Sequence, residues 1–599
     1  VTPAERRWAY GIGAAAIAGL LALGVLWAAG PGLIADAYHQ RPGALLGGVI
    51  SGQGRFPLEG YLLFFRRTVL SLAVAIAIAG ALVPWLVRWN ARAGTTAGRR
   101  AAWIVVALLG LALVGLRVRT FSEAQDRDLM AYMLVADGVL NGKTLYQQVW
   151  DHKPPAIHLT YAASAALFGP SEMALWVMGV TAALITLIAC YRAGVIRAGP
   201  VGGIAAAAIW ALASGDLLLQ ANQPNAEVFM NAAIAWAFVL LAAPAPRPPA
   251  RWVAIGALFL WASLYKPVIV AIAGLVMAAD ALNVFLAADG VPAARRLWRA
   301  VQGPIVSGGT AAIGWALVLA YFAAVGRFAE FQEAVFAYNR DYAGSVVQNL
   351  LATLLPSGAV VWTAAAYFPL LLVIGLGATW IAVRRGGDEG RLLLAYLAGA
   401  WIAVGMPGRL YPHYYQLLLP PLAIGTGWLI ARALAARAMP AVAVVAAAVT
   451  LALTTRVYQS MVTVEEVPRL KFGGYGFDLL ETQRMGPWIA QHLRPGAAMY
   501  HWGAEPGVYF FARRPTPVSF VYNMPLTDRT ERSRRYTAQV LSELAARPPE
   551  LVVAVRKELA IVDHPIETWI AARYTAVDGP AGVDRFVFLV PRQAANSSR

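Results

Sequence analysis

Apolar residues arrive in blocks close to the roughly 20 that carry a helix across the hydrocarbon of a bilayer, where lipid leaves no partner for bare backbone groups. Read with that ruler, the chain predicts about thirteen spans. They fall near 8–29, 68–88, 101–118, 171–193, 199–217, 227–243, 252–265, 267–286, 304–325, 359–383, 391–406, 413–434 and 438–456. Arg6 and Arg7 before the first block give it the layout of a signal sequence, but its apolar stretch is long for one, and an uncleaved anchor is the expectation. Two further helices are predicted between the third and fourth spans, over 128–141 and over 156–168 after the stop at Pro154-Pro155.

After 456 the pattern changes. Charge density rises, and helix-like stretches such as Glu531–Ala546 alternate with short strand-like runs at Leu551–Val555 and Arg585–Val590, which predicts a small α/β domain outside the membrane. The expected organisation is 1–95 as an N-terminal pair of spans with its loop, 96–456 as a membrane domain with a first large outer loop at 119–170, and 457–599 as the outer domain.

Arginine placement orients the spans. Arg88, Arg92, Arg99 and Arg100 follow the second span, Arg192 and Arg197 the fourth, Arg247 and Arg251 the sixth. Arg295, Arg296 and Arg299 follow the eighth, Arg384, Arg385 and Arg391 the tenth, Arg432 and Arg437 the twelfth. With alternating spans all of these lie on one side, and the positive-inside rule makes that side cytoplasmic. The N-terminus is then cytoplasmic, and the domain after 456 is periplasmic on a bacterial inner membrane. Arg41, Arg55, Arg66 and Arg67 in the 31–67 loop are the exception.

Composition narrows the class. Of 599 residues 59% are hydrophobic and 14% charged, which excludes a soluble enzyme, a disordered tail and a collagen-like fibre. The formal charge of +17 reflects loops facing anionic lipid, since no basic patch interleaved with aromatics offers itself to nucleic acid. A single cysteine, Cys190, excludes an internal disulfide framework and a cysteine-rich metal site.

The uncommon polar residues at span ends gather on the outer side. Asp126-Arg127-Asp128, Tyr132 and Asp151-His152-Lys153-Pro154-Pro155 lie in the first large loop. At about 100° per residue Asp128 and Tyr132 share one helix face. Glu227 opens a span after Asn222-Gln223-Pro224-Asn225-Ala226, where helix capping alone would also favour an acid. Lys266 stands between two spans with almost no loop, a place from which a lysine can also snorkel to headgroups. Arg409 precedes the twelfth span and His413, Tyr414 and Tyr415 open it, where aromatics also serve as an interfacial belt. Ionisable groups at membrane depth are costly and mark function. Lys153, Lys266, Arg409 and His413 suit a lipid-borne phosphate whose charge grows as it leaves, and a carboxylate beside them suits proton removal from an attacking hydroxyl. Together they point to sugar transfer from a lipid phosphate.

On these residues the chain resembles the GT-C membrane glycosyltransferases, in particular the aminoarabinose-transferase-like and protein-mannosyltransferase-like group. Arg127-Asp128 with Tyr132 is similar to the family's acidic motif, and Lys153-Pro154-Pro155 to its Lys-Pro-Pro. Asn225-Ala226-Glu227, Lys266-Pro267 and Tyr411-Pro412-His413-Tyr414 follow in family order, so the resemblance covers about 100–456. It implies a GT-C-like arrangement with interfacial outer helices. It also implies an inverting transfer from a polyprenyl-phosphate sugar, such as one on undecaprenyl phosphate, to an acceptor glycan, lipid or protein. Asp128 would be the base or acceptor-orienting carboxylate, with Glu227 and Asp126 assisting. Lys153, Lys266, Arg409 and His413 would hold the donor phosphate, and Tyr132, Tyr414, Asp151 and His152 would contact acceptor or sugar. Leu129 departs from the pattern, standing where the family has a second acid. Some relatives involve a divalent metal; the sequence requires no cofactor and names no metal ligand.

In the outer domain, Tyr500-His501-Trp502-Gly503-Ala504-Glu505-Pro506 reads first as a strand end entering a helix beside an aromatic core, with contact of His501 and Glu505 to an acceptor as the alternative. Two other classes compete with the transferase. The same cations would serve a transporter or flippase of an anionic lipid-linked solute, although neither repeats nor interrupted mid-membrane spans are evident. A non-catalytic assembly or sensor protein would carry its output in the outer domain.

Overall fold

A computed structural model describes residues 3–40, scattered positions of 58–80, and 95–592 apart from 122, 245–246, 289, 354–366, 385–386, 473–475, 560–563 and most of 437–461. The spans expected over 68–88 and 438–456 lie largely outside the described residues. Helix α1 (Pro3–Gln40) runs beyond the expected 8–29. It is followed by α2 (Thr96–Arg117), two short helices in the first loop, α3 (Arg127–Leu140) and α4 (Pro155–Phe168), and then α5 (Glu172–Ala213). The membrane domain continues with α6 (Ala226–Ala242), α7 (Pro249–Ser263), α8 (Val270–Ala287), α9 (Ala293–Ala324), α10 (Tyr367–Arg384), α11 (Asp388–Gly405) and α12 (Leu419–Ala436). Among the described residues six helices are long and apolar enough to cross a membrane, and Ala226–Ala242 and Leu371–Arg384 are shorter apolar helices. This is a multi-pass membrane protein.

One of those six is two expected spans in a single run. At Gly199, φ 65° and followed by Pro200, α5 leaves helical geometry, a backbone turn that glycine adopts at no steric cost. The arms fold back on each other, and Trp210 Nε1 donates to the Ala183 carbonyl across them at 2.9 Å. Helix α12 packs against this hairpin through small residues, as membrane helices do when backbones must approach closely. A Cβ on Gly427 would stand 2.4 Å from the Gly202 carbonyl oxygen. Gly427→Ala is therefore expected to cost about 1–3 kcal/mol by overpacking, read as a lower midpoint of thermal unfolding in detergent.

Outside the bundle, the stretch between α9 and α10 carries short helices at Phe328–Gln332, Asn339–Ala343 and Val346–Thr353, with a π-helical turn at Glu333–Tyr338. After 456 the expected α/β domain is present. It contains α13 (Gly476–His492), β1 (Met499–Trp502), α14 (Gly507–Ala512), α15 (Glu531–Ala546), β2 (Leu551–Val555), α16 (Pro565–Arg573), β3 (Tyr574–Val577) and β4 (Phe586–Pro591). The sheet order is β1-β2-β4-β3, with β1 and β2 parallel and the other two pairs antiparallel. This domain is seated on the first loop: Trp150 N donates to the Ser519 carbonyl at 3.0 Å, and Arg127 pairs with Glu505 at 3.1 Å.

Candidate active site

Four chain segments meet at one end of the bundle. Helix α3 begins where Asp126 caps it, its side chain accepting from Asp128 N at 3.2 Å. An N-cap acid satisfies a backbone donor that the helix cannot, and it leaves the Asp128 side chain in the first turn. Helix α4 begins at Pro155, a residue pre-shaped for a first helical position, so that Lys153 ends the preceding loop. It then braces the other segments. Ala156 N donates to the Leu264 carbonyl at 3.1 Å, Thr160 Oγ1 meets the Tyr265 hydroxyl at 2.6 Å, and the Tyr161 hydroxyl donates to the Pro224 carbonyl at 2.8 Å. Those bonds set the Lys266 turn and the start of α6 beside Lys153. The fourth segment, 412–418, is fastened by Gln416, which takes Asn231 Nδ2 on its carbonyl at 2.9 Å.

Among the residues picked out in the sequence, Lys153, His413, Lys266 and His152 all lie within electrostatic reach of Asp128. Burial opposes a charge on Asp128, yet these groups, Lys153 foremost, hold its carboxyl below the usual aspartate range. Its neighbour Asp126 goes the other way. Burial first, then the Asp128 carboxylate, pushes Asp126 up to about 6, against the pull of the Asp128 amide, Lys471 and Arg127. Two adjacent carboxyls are thus drawn apart in acidity, the arrangement that separates an ionised group from a proton-carrying one. The Tyr132 hydroxyl, 1% exposed, stands 3.5 Å from Asp128 Oδ2.

Glu227 is 1% exposed and meets Lys266 Nζ at 2.5 Å, and the same ammonium lies 4.3 Å from the centre of the Tyr414 ring. His413 gives Nδ1 to Gln220 Oε1 at 2.9 Å and is wedged between the rings of Tyr411 and Tyr414. Arg409 is placed differently. It is exposed at the rim, donating to the Tyr342 carbonyl at 3.0 Å with its guanidinium over the Tyr342 ring. Asp151 is buried among protein groups, its oxygens 3.0 Å from the Tyr522 hydroxyl and 3.3 Å from each of His152 Nδ1 and His158 Nε2. His152 Nε2 in turn lies 2.5 Å from Lys153 Nζ. Among the described residues no cluster of three His, Cys, Asp or Glu donors is assembled for a metal.

Several neighbours escaped sequence reasoning. His158 is 1% exposed, the one imidazole in a helix of apolar and hydroxyl side chains, and a buried ionisable group of that kind is a readable signal. Tyr522 comes from the outer domain, and Asn339, which donates to the His152 carbonyl at 2.6 Å, from the short outer helices; neither carries a local signature. His501 and Glu505 lie where the strand Met499–Trp502 runs toward the helix Gly507–Ala512, the first of their two readings; they are 2% and 1% exposed, and Glu505 is engaged by Arg127.

No family model matches the chain, nor does any curated protein sequence. Solved structures do. ArnT from Cupriavidus metallidurans bound to undecaprenyl phosphate superposes with a TM-score of 0.52 at 14% identity, over 81% of this chain and 97% of that one. The same enzyme in its apo state gives 0.51 at 16% identity, over 82% and 98%. The oligosaccharyltransferase AglB from Archaeoglobus fulgidus gives 0.47 at 12% identity, over 83% and 75%. The first two show the fold of this chain to be that of ArnT, the GT-C arrangement.

Proposed function

From a chain with the ArnT fold and this cluster at one end of its bundle, we propose a glycosyltransferase that moves a sugar from a polyprenyl phosphate to an acceptor hydroxyl at the periplasmic face. The observation that carries the reading is the convergence on Asp128 of Lys153, Lys266 and His413 from three separate segments.

In the proposed reaction the acceptor oxygen attacks the anomeric carbon as the bond from that carbon to the phosphate oxygen breaks, inverting the centre in one displacement. The hydroxyl proton passes to the Asp128 carboxylate. The lipid phosphate leaves with one more negative charge than it had as a diester, and Lys153 and Lys266 stabilise that growth more than they stabilise the bound donor, which is what lowers a barrier. Glu227 orients Lys266 rather than touching the hydroxyl, because the two are already paired.

Donor binding also activates the base. The phosphate takes up the positive charge that holds Asp128 acidic, so the Asp128 carboxyl becomes more basic once the donor is seated, closer to what proton abstraction needs. The acceptor is a glycan, lipid or protein hydroxyl. The flippase reading gains nothing from a carboxylate set in the cation cluster, which would only repel the anionic cargo.

Mass spectrometry of lipids that copurify with the full chain tests the assignment. A polyprenyl phosphate or its sugar ester is expected, and its mass names the donor. Purified protein that carries neither, and takes up neither when they are added, would overturn it.

A further inference from the structure

Beneath the carboxylates lies a second ion pair that the reaction does not use. Lys471 Nζ meets Glu123 Oε1 at 3.2 Å, and both side chains have 0% exposure. Lys471 belongs to the short helix Glu466–Phe472, outside the membrane domain, and is 348 residues from its partner. A buried pair of this kind adds little net stability, since desolvation offsets the attraction. Its placement is more informative than its energy.

Glu123 Oε1 also accepts from Asn222 Nδ2 and, at 3.0 Å, from Gln223 Nε2. Gln223 Oε1 then takes Asp126 N at 3.2 Å, fixing the residue that starts α3. On its other side the Lys471 carbonyl accepts from Gln220 Nε2 at 3.1 Å. A carbonyl can only accept, so this bond turns the Gln220 amide oxygen toward His413, and Nδ1 must be the protonated ring nitrogen of neutral His413. Gln220 holds φ at 51°, a left-handed conformation that a non-glycine residue keeps only where its surroundings impose it. One lysine therefore braces the turn between the acid side and the cation side of the site.

We propose that Lys471 is a positioning residue of this site, holding Asp126 through Glu123 and Gln223 and His413 through Gln220. Its buried ammonium is also the cation that Asp126 meets from outside α3. The inference rests on the transferase reading for what Asp126 is used for. The groups facing Asp126 are Asp128 and Arg127 from its own helix, Tyr161 from α4 and Lys471; Glu123 reaches it through Gln223 and pairs with Lys471.

The test needs no sugar transfer, so its failure is distinct from failure of that reading. In the full chain in lipid nanodiscs, infrared spectroscopy follows the carbonyl band of protonated carboxyls through a pH titration, with Asp126→Asn identifying the Asp126 band. Removing a nearby cation favours the neutral acid, so Lys471→Met is expected to move that midpoint to higher pH, by about one pH unit. Glu123→Gln leaves the cation unopposed and moves it to lower pH. The double variant carries no buried net charge and keeps acceptors for Asn222 and Gln223. It falls above Glu123→Gln and reads the effect should Lys471→Met not fold. Lys471→Arg retains the wild-type midpoint to within the Glu123→Gln displacement. A midpoint identical in Glu123→Gln, the double variant and wild type, or single variants that move it the same way, would overturn the proposal.

Discussion

Asp128→Asn is expected to lower the rate of sugar transfer about 10²–10⁴-fold, the range typical of losing a general base, while the protein stays folded. Asparagine fits the same volume and can still hydrogen-bond the Tyr132 hydroxyl, now 3.5 Å from the carboxylate. It cannot take a proton. Since Asp128 makes few protein hydrogen bonds and sits among Lys153, His413, Lys266 and His152, losing its charge leaves the two lysines more mutually repulsive and more open to the donor phosphate. Donor affinity should therefore hold or rise as turnover collapses, a split between binding and rate that separates a reacting group from a structural one. The corresponding substitution at Asp126 should keep the fold as well, because asparagine caps a helix start as aspartate does.

The second large effect is expected at Lys266. Lys266→Ala removes a cation from the proposed phosphate site and leaves Glu227, 1% exposed, as a buried charge with its partner gone. Breaking a buried pair from one side costs about 3–5 kcal/mol, so this variant should be both less stable and weaker in binding. Lys266→Met combined with Glu227→Gln isolates the two contributions. It should recover most of the thermal midpoint, yet bind undecaprenyl phosphate about 10–100-fold more weakly than wild type, the effect of about 1.5–3 kcal/mol for a hydrogen bond to a charged group. Recovery of both stability and binding would mean that Lys266 serves only its partner.

Much of the site was legible in the sequence because its chemistry is local. Asp126 and Asp128 at a helix start, the Pro154-Pro155 stop after Lys153 and the Lys266 turn each declare themselves within a few residues, and α3 and α4 begin within one residue of the expected positions. The outer domain showed through its alternation of α15, β2 and β4 for the same reason. What stayed hidden depends on long-range closure. Nothing near Lys471 marks it as the partner of Glu123, and nothing near Tyr522 marks it as a partner of Asp151. The left-handed Gln220 has no glycine to announce it. Arg409 joins the cations in the sequence through its side of the membrane, its nearness to His413 and the family resemblance, none of which says whether its side chain reaches Asp128 or lies over Tyr342.

The central claim is that these segments converge to hold one lipid phosphate. Equilibrium binding of undecaprenyl phosphate and of undecaprenol to the full chain, measured side by side by native mass spectrometry, tests it most directly. The account predicts that the phosphate ester binds, that the alcohol binds at least tenfold more weakly, and that Lys153→Ala together with the Lys266→Met, Glu227→Gln pair erases the difference. Equal binding of ester and alcohol by the wild-type protein would contradict it.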